Sequence, residues 1–118
     1  MRHRSKKHLK LNWRDVNHRD AVLRNLASSL FVHGKVATTQ KRARAVTPLV
    51  HNLIRVAQEK DTMNTIRALN ASLYTESASR AAIDFAKNTK KTSGFTRVTP
   101  LKYRVGDASL LVTLELVA

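Results

Sequence analysis

Five histidines are the side chains best suited to acid–base or metal chemistry in this 118-residue sequence, at positions 3, 8, 18, 33 and 51. A helix presents two imidazoles to one metal ion when they are four residues apart, and no pair of these histidines has that spacing. His3 and His18 are each followed by an arginine, and a neighbouring cation disfavours both a charged imidazole and a bound metal ion. The sequence therefore predicts neither a metal site nor a histidine-based catalytic centre.

The other side chains that perform catalysis lack the required context. There is no cysteine, and no serine lies in a G-x-S-x-G or S-x-x-K motif. The close carboxylate pairs, Asp15/Asp20 and Glu59/Asp61, suit helix caps and helix dipoles better than general acid–base catalysis. The three glycines lie too far apart for a phosphate-cradling loop or a dinucleotide-binding turn. We therefore expect no enzymatic activity, no cofactor and no small-molecule substrate.

Cations dominate the chemistry that remains. The chain carries 22 Lys and Arg residues against 8 Asp and Glu residues, a formal net charge of +14. Such an excess indicates a polyanionic partner, and nucleic acid is the default one. Residues 1–14 hold six of the cations and no acid, a second basic group lies at 35–44, and a third is spread over 80–104. The grouping predicts several anion-facing surfaces rather than evenly distributed solubilising charge.

Each cation that bonds a phosphate releases a counterion, which supplies affinity without reading sequence. Arginine adds bidentate contacts and planar stacking that lysine lacks. From the residues alone we therefore expect phosphate contacts at Arg2, Arg4, Arg14, Arg19, Arg24, Arg42, Arg44 and Arg97. Cations of the same basic groups extend this set to Lys41, Lys90 and Lys91. Trp13 has two readings, stacking on a splayed base or packing the basic segment against the domain.

The elements that must position these cations follow from the hydrophobic periodicity. Residues 1–16 are predicted to be an extended basic arm, and residues 17–118 a single α+β domain. Helices are expected near 17–33, 39–59, 62–73 and 76–88, with Asn17, Thr38 or Thr39, Asp61 or Thr62, and Thr75 as N-caps and Gly34 ending the first. Pro48 should kink or break the second helix, and Met63, Ile66 and Leu69 should bury the third.

Strands are expected at 35–38, 95–104 and 109–117, with Pro100 at an edge or a bulge and a turn at 105–108. The predicted order is α-β-α-α-α-β-β. The fold class is two-layer α+β, with a small mixed sheet and helices on one of its faces. No apolar run is long enough to span a membrane, and the basic N-terminus predicts no secretory signal.

Several motifs, in order along the whole chain, are similar to one protein family. They are Met-Arg-His-Arg at 1–4, His18-Arg19, Leu23-Arg24-Asn25-Leu26, Gly34-Lys35-Val36-Ala37-Thr38-Thr39, Ser93-Gly94-Phe95-Thr96-Arg97-Val98, Arg104-Val105-Gly106-Asp107-Ala108 and Leu114-Glu115-Leu116-Val117. Together they resemble the bacterial-type large-subunit ribosomal protein seventeen family.

The resemblance implies a structural protein bound to the large-subunit ribosomal RNA, beside neighbouring large-subunit proteins and in the cytoplasm. It also implies a place on the solvent side of that subunit, near the nascent-chain exit, with the arm inside RNA. Carried over by motif, the RNA contacts fall on Arg2, His3, Arg4, Arg14, His18, Arg19, Arg24 and Arg97; charge adds Lys6, Lys7 and Lys10. The rival hypothesis is a DNA-compacting or gene-regulatory protein, which requires a dimer surface or a groove-reading helix.

Overall fold

The structure, a computed structural model, describes residues 15–118. In chain order the elements are α1 (Val16–His33), β1 (Lys35–Thr39), α2 (Gln40–Glu59), α3 (Thr62–Ser72), α4 (Glu76–Asn88), β2 (Thr96–Tyr103) and β3 (Leu110–Leu116). The predicted order and the α+β class are confirmed. The predicted arm lies outside the described residues except for its last two, Asp15 and Val16, which cap and begin α1.

The three strands form one sheet in the order β1-β3-β2, and both pairings are antiparallel. The prediction of a mixed sheet was therefore wrong. β1 and β2 run in the same direction but do not pair with each other, because β3 lies between them and opposes both. The register of β2 shifts between Pro100 and Lys102, which confirms the bulge expected beside the proline.

One face of the sheet is buried by helices, as predicted. Val112 and Leu114 of β3 are almost fully buried on this face, and α1 and α2 both pack against the sheet. α4 in turn packs against α1 and α2 through a row of small side chains at Ala78, Ala82 and Ala86, which lets the helix backbones approach closely. The opposite face of the sheet carries Thr113 and Glu115, as the period of two along β3 requires.

The helix ends follow local hydrogen bonding. The side chains of Thr39, Asp61 and Thr75 cap α2, α3 and α4, which confirms the predicted N-caps. α1 is capped by Asp15 rather than by Asn17, because the Asp15 carboxylate accepts from the backbone N–H of His18 and adds an anion at the positive helix end. Gly34 ends α1 in the left-handed conformation at φ 80°, and its carbonyl accepts from Leu116 of β3.

The break expected at Pro48 was wrong, and the burial expected for α3 is confirmed at Leu69 but wrong at Met63 and Ile66. α2 continues unbroken through Pro48, which lies on the exposed side of the helix, where water can satisfy the carbonyl left without its N–H donor. α3 is buried through Thr65 and Leu69, which are four residues apart on one helix face. Met63 and Ile66 fall off that face and are 63% and 41% exposed.

Candidate nucleic-acid interface

The exposed side of α2 carries a row of cations. Lys41, Arg44 and Arg55 lie on the same side of the helix as Pro48 and Asn52, and all five are exposed. We call these five residues the basic strip. The opposite side of α2 is buried in the core, so the core fixes the direction in which the strip faces. At 1.5 Å per residue, the strip extends for about 21 Å.

No cation of the basic strip forms an ion pair with a residue of the described range 15–118. Lys41 also lies in the first turn of α2, where the helix dipole disfavours a cation and where no acid is present. Its neighbour Arg42 is exposed at the same helix end, with its backbone N–H directed to the capping Thr39 hydroxyl. The cations at this end are thus unneutralised by the fold and available to an external anion.

The loop between α4 and β2 adds two further cations beside α2. The side-chain amide of Gln58 donates to the Lys91 carbonyl at 3.1 Å, and the Lys91 N–H is directed to the Thr89 hydroxyl at 3.3 Å. Gln58 lies one helical turn beyond Arg55, so the loop carries Lys90 and Lys91 to the end of the basic strip. Both lysines are exposed.

Two contacts of His51, a hydrogen bond and an edge-on ring contact, fix α2 to the start of β2. Nε2 of His51 lies 3.0 Å from the Thr96 hydroxyl, and the imidazole contacts the Phe95 ring edge-on at 5.5 Å between centroids. Phe95 is buried and also contacts Phe85 of α4. Partial burial lowers the pKa of His51, and the charge of Arg55 lowers it further, so the ring is neutral at pH 7. This histidine therefore serves packing rather than anion binding.

His18 and Arg19 lie in the first turn of α1, directly after the segment 1–14. His18 is exposed, and Arg19 is partly buried with its Nε 3.4 Å from the Asp20 carboxylate. Both side chains therefore remain accessible, wholly or in part, at the start of α1. The predicted contacts Arg2, His3, Arg4, Lys6, Lys7, Lys10 and Arg14 lie outside the described residues.

Arg24 was predicted to contact phosphate, and its guanidinium makes two contacts within the protein. Nε donates to the Ser72 carbonyl at 3.2 Å, and the guanidinium carbon lies 4.6 Å from the centroid of the Tyr74 ring. Tyr74 is further held by its N–H, which donates to the Ser28 hydroxyl at 3.0 Å. This arginine therefore joins α1 to the connection between α3 and α4.

Arg97 lies on the open face of the sheet, apart from the basic strip. Its guanidinium is 3.4 Å from the Glu115 carboxylate of the neighbouring strand, and it remains mostly exposed. Lys35 of β1 pairs in register with Glu115 from the other side. Lys35, Glu115 and Arg97 thus lie side by side across the open face, and the one carboxylate partly neutralises the two cations.

Sequence reasoning missed Arg55 and did not select Lys35. The signal for Arg55 was present, because Lys41, Arg44, Pro48, Asn52 and Arg55 recur at intervals of three and four residues on the polar side of α2. No local signal exists for Lys35, since its neighbourhood depends on a strand about 80 residues away.

Within residues 15–118 no alternative chemistry emerges. No group of three or more His, Asp or Glu in this part of the chain could hold a metal ion. No buried side-chain nitrogen or oxygen there lacks a hydrogen-bond partner. None of the described helices is both long and apolar enough to cross a membrane.

Comparison with known proteins agrees with this geometry. The family model described as Ribosomal protein L17 matches residues 22–117. The chain belongs to the ribosomal protein L17 family. It is 39% identical to the large ribosomal subunit protein bL17 of Chloroflexus aggregans, with 99% of this chain and 100% of the relative covered. The bL17 proteins of Chloroflexus aurantiacus (strain J-10-fl) and Neorickettsia sennetsu are 40% and 34% identical over the same shares.

Membership in the L17 family confirms three expectations from the sequence. The resemblance was correct, the protein is a structural constituent of the large ribosomal subunit, and it is not an enzyme. The rival hypothesis of a DNA-compacting or regulatory protein loses its support.

Proposed function

We propose that this protein binds large-subunit ribosomal RNA mainly through phosphate contacts, using the arm 1–14 and the surface formed by the basic strip with Lys90 and Lys91. The observation that carries the proposal is the row of exposed, unpaired cations on α2. Among the described residues, four acids form ion pairs, with Arg19, Arg80, Arg97 and Arg104, and none forms an ion pair with a cation of the strip. An uncompensated row on a rigid helix is suited to a fixed row of phosphates.

Binding of this kind is led by charge rather than by base recognition. Each phosphate contact releases a condensed counterion, so affinity falls steeply with salt. Arg44 and Arg55 can each hold a phosphate by two parallel hydrogen bonds, whereas Lys41, Lys90 and Lys91 act as point charges. His18, Arg19, Arg42 and Arg97 remain proposed contacts because all retain exposed or partly exposed side chains. Arg24 is half-buried and holds Ser72 and Tyr74, so we expect it to contribute less to RNA binding than the strip.

The location of the protein follows from the resemblance to its family. We place it on the solvent side of the large subunit near the nascent-chain exit, beside other large-subunit proteins and within cytoplasmic ribosomes. The matches to bacterial bL17 proteins support the assignment to the large subunit, and the position near the exit rests on the resemblance alone.

Two measurements on the full-length protein test the proposal. The first is co-sedimentation with large subunits through a high-salt wash, which should retain the protein; recovery in the free fraction or on DNA would contradict it. The second is the salt dependence of binding to large-subunit ribosomal RNA. The slope of log affinity against log salt should fall by roughly 0.7–0.9 for each phosphate contact removed when residues 1–14 are deleted.

The control for the deletion is Arg80→Ala, which removes an exposed arginine already paired with Glu76. It should leave the slope unchanged. An unchanged slope after deletion of residues 1–14 would show that the arm does not anchor the protein.

A further inference from the structure

A groove lies open at the surface where α1, α2 and the end of α3 meet. It has a volume of about 260 Å³ and is lined by Asp20, Leu23, Arg24, Leu49, Ala71 and Ser72. We call it the three-helix groove. Its floor is continuous with the core, because Leu23 and Leu49 are partly buried and pack against the core residues. Pockets for drug-sized ligands measure about 300–1,000 Å³, so this smaller groove suits a single large side chain.

The rim of the groove offers polar groups that suit an indole ring. The Asp20 carboxylate is 57% exposed, and its contact with Nε of Arg19 leaves further lone pairs that can accept hydrogen bonds. The Ser72 carbonyl accepts from Nε of Arg24 at 3.2 Å and has a second lone pair. A buried indole N–H usually requires such an acceptor. The carboxylate at the rim also repels phosphate, so a nucleotide fits this groove poorly.

The segment that precedes α1 carries a side chain of this kind at the right distance. Trp13 is the only tryptophan of the chain and lies two residues before Asp15, the N-cap of α1. Two residues of extended chain span about 7 Å, and the helix rises about 7.5 Å between Asp15 and Asp20. A segment that turns back along α1 therefore brings Trp13 level with Asp20, at the mouth of the groove. The loop to be closed is short, so its entropic cost is small.

The surface between the N-cap of α1 and the groove is also apolar. Val16, Asp20 and Leu23 are spaced by four and three residues, so they share one side of α1. Val16 is 50% exposed at the first position of the helix. An indole ring that lies along this side of α1 removes Val16 as well as Leu23 from water. This apolar path leads from the start of α1 to the groove and favours the adjoining segment over a partner chain.

We propose that Trp13 docks in the three-helix groove and fastens the base of the arm to the α+β domain. Of the two roles open to Trp13, this is packing on the domain rather than stacking on a splayed base. Leu49 of the groove directly follows Pro48 of the basic strip, so the arm starts beside the strip. A fixed starting point lowers the ordering cost when the arm binds RNA. That consequence, unlike the docking itself, rests on the proposed function.

Tryptophan fluorescence of the full-length protein without RNA tests the docking, since Trp13 is the only tryptophan. The emission of a docked indole should lie at shorter wavelength than in the urea-unfolded protein. Its quenching by acrylamide, which carries no charge and is not attracted by the cations, should be weaker than in the unfolded protein. Emission and quenching equal to those of the unfolded protein would overturn the proposal.

A substitution in the groove shows where the indole lies. Ala71 lines the groove but is exposed, so Ala71→Gln obstructs the groove and should leave the melting temperature nearly unchanged. It should move the emission of Trp13 to longer wavelength and increase its quenching. The matched control, Met63→Gln, places the same side chain at an exposed position of α3 outside the groove and should change neither. An Ala71→Gln spectrum equal to that of the parent would overturn docking in this groove.

Binding to large-subunit ribosomal RNA separates this inference from the proposed function. Trp13→Ala and Ala71→Gln should weaken binding by a similar factor, and the double variant should lose no more than either alone, because each releases the same contact. The slope of log affinity against log salt should not change, since no phosphate contact is removed. A loss with Trp13→Ala alone would indicate stacking on a base and would overturn the inference. The proposed function depends instead on the slope after deletion of residues 1–14.

Discussion

The guanidinium carbon of Arg24 lies 4.6 Å from the centroid of the Tyr74 ring, 50 positions away in the sequence. The same side chain donates to the Ser72 carbonyl, and the Tyr74 N–H donates to the Ser28 hydroxyl. Together these contacts fasten the connection between α3 and α4 onto the middle of α1. A residue whose charge suggested RNA binding therefore stabilises the packing of three helices.

The first prediction separates these two roles of Arg24. Arg24→Ala removes a cation–π contact and a hydrogen bond to a backbone carbonyl, and should lower the free energy of unfolding by about 1–2 kcal/mol. The salt dependence of RNA binding should stay unchanged. Tyr74→Ala should cost a similar amount, and the double variant should lose less than the sum of the two. Denaturant unfolding measures the stabilities, and strict additivity would show that the two residues act independently.

The second prediction concerns the basic strip, where substitutions should weaken RNA binding without destabilising the fold. Lys41→Ala removes a cation from the first turn of α2 and should stabilise the fold by about 0.3–1 kcal/mol at low salt. Arg55→Ala and Arg44→Ala should leave stability nearly unchanged. Each of the three variants should reduce the slope of log affinity for ribosomal RNA against log salt by roughly 0.7–0.9. A slope equal to that of the parent in all three would show that the strip does not face RNA.

The third prediction uses the acid on the open face of the sheet. Glu115→Gln removes the partner of Arg97 and the in-register neighbour of Lys35. Because both cations lose a competing anion, affinity for ribosomal RNA should rise at low salt. The free energy of unfolding should fall by no more than about 1 kcal/mol, as expected for an exposed pair. Arg97→Ala in the Glu115→Gln background should remove the share of the gain that Arg97 contributes, and a gain that persists in full would show that Arg97 does not contact RNA.

The fourth prediction follows from the lowered pKa of His51. Its cause is mainly partial burial, with a smaller contribution from the charge of Arg55. Because the folded pKa lies below the unfolded value of about 6.5, the unfolded chain takes up the proton first as the pH falls. The contribution of neutral His51 to the stability of the fold is therefore complete above pH 6.5, and it is lost as the pH falls through the pKa of His51 in the folded protein.

Thermal unfolding at pH 7.5, 6.0 and 5.0 measures this effect. The parent should lose more stability over this range than His51→Gln, which keeps a polar group near Thr96 but does not titrate. The difference between the two proteins is the readout, since the other histidines are common to both. Parallel pH profiles would show that His51 does not contribute to the acid sensitivity of the fold.

Local signals in the sequence were sufficient for most of the secondary structure. Thr39, Asp61 and Thr75 were identifiable as caps because an N-cap acts on an N–H only two or three residues away. The predicted strand at 109–117 is confirmed as β3, and its period of two places Val112 and Leu114 together on the buried face.

What failed depended on partners distant in sequence. Met63 and Ile66 were assigned to the core with Leu69 because they are apolar, but the position of α3 on α2 buries Thr65 together with Leu69 and leaves the other two exposed. The direction of β1 relative to its neighbour also has no local signal. For the candidate site, the sequence shows where the cations lie along the chain. It does not show that Glu115 partly neutralises Arg97 or that Arg24 contacts Tyr74, because both partners are distant in sequence.

The middle strand of the sheet is the last element of the chain. β1 pairs with residues 111–115, which are synthesised more than seventy positions later, and β2 also pairs only with β3. During synthesis the four helices can gather through contacts between near neighbours, while the apolar sides of α1 and α2 stay uncovered by any sheet. A chain interrupted before Leu110 therefore lacks not one strand of three but every strand pairing found within residues 15–118.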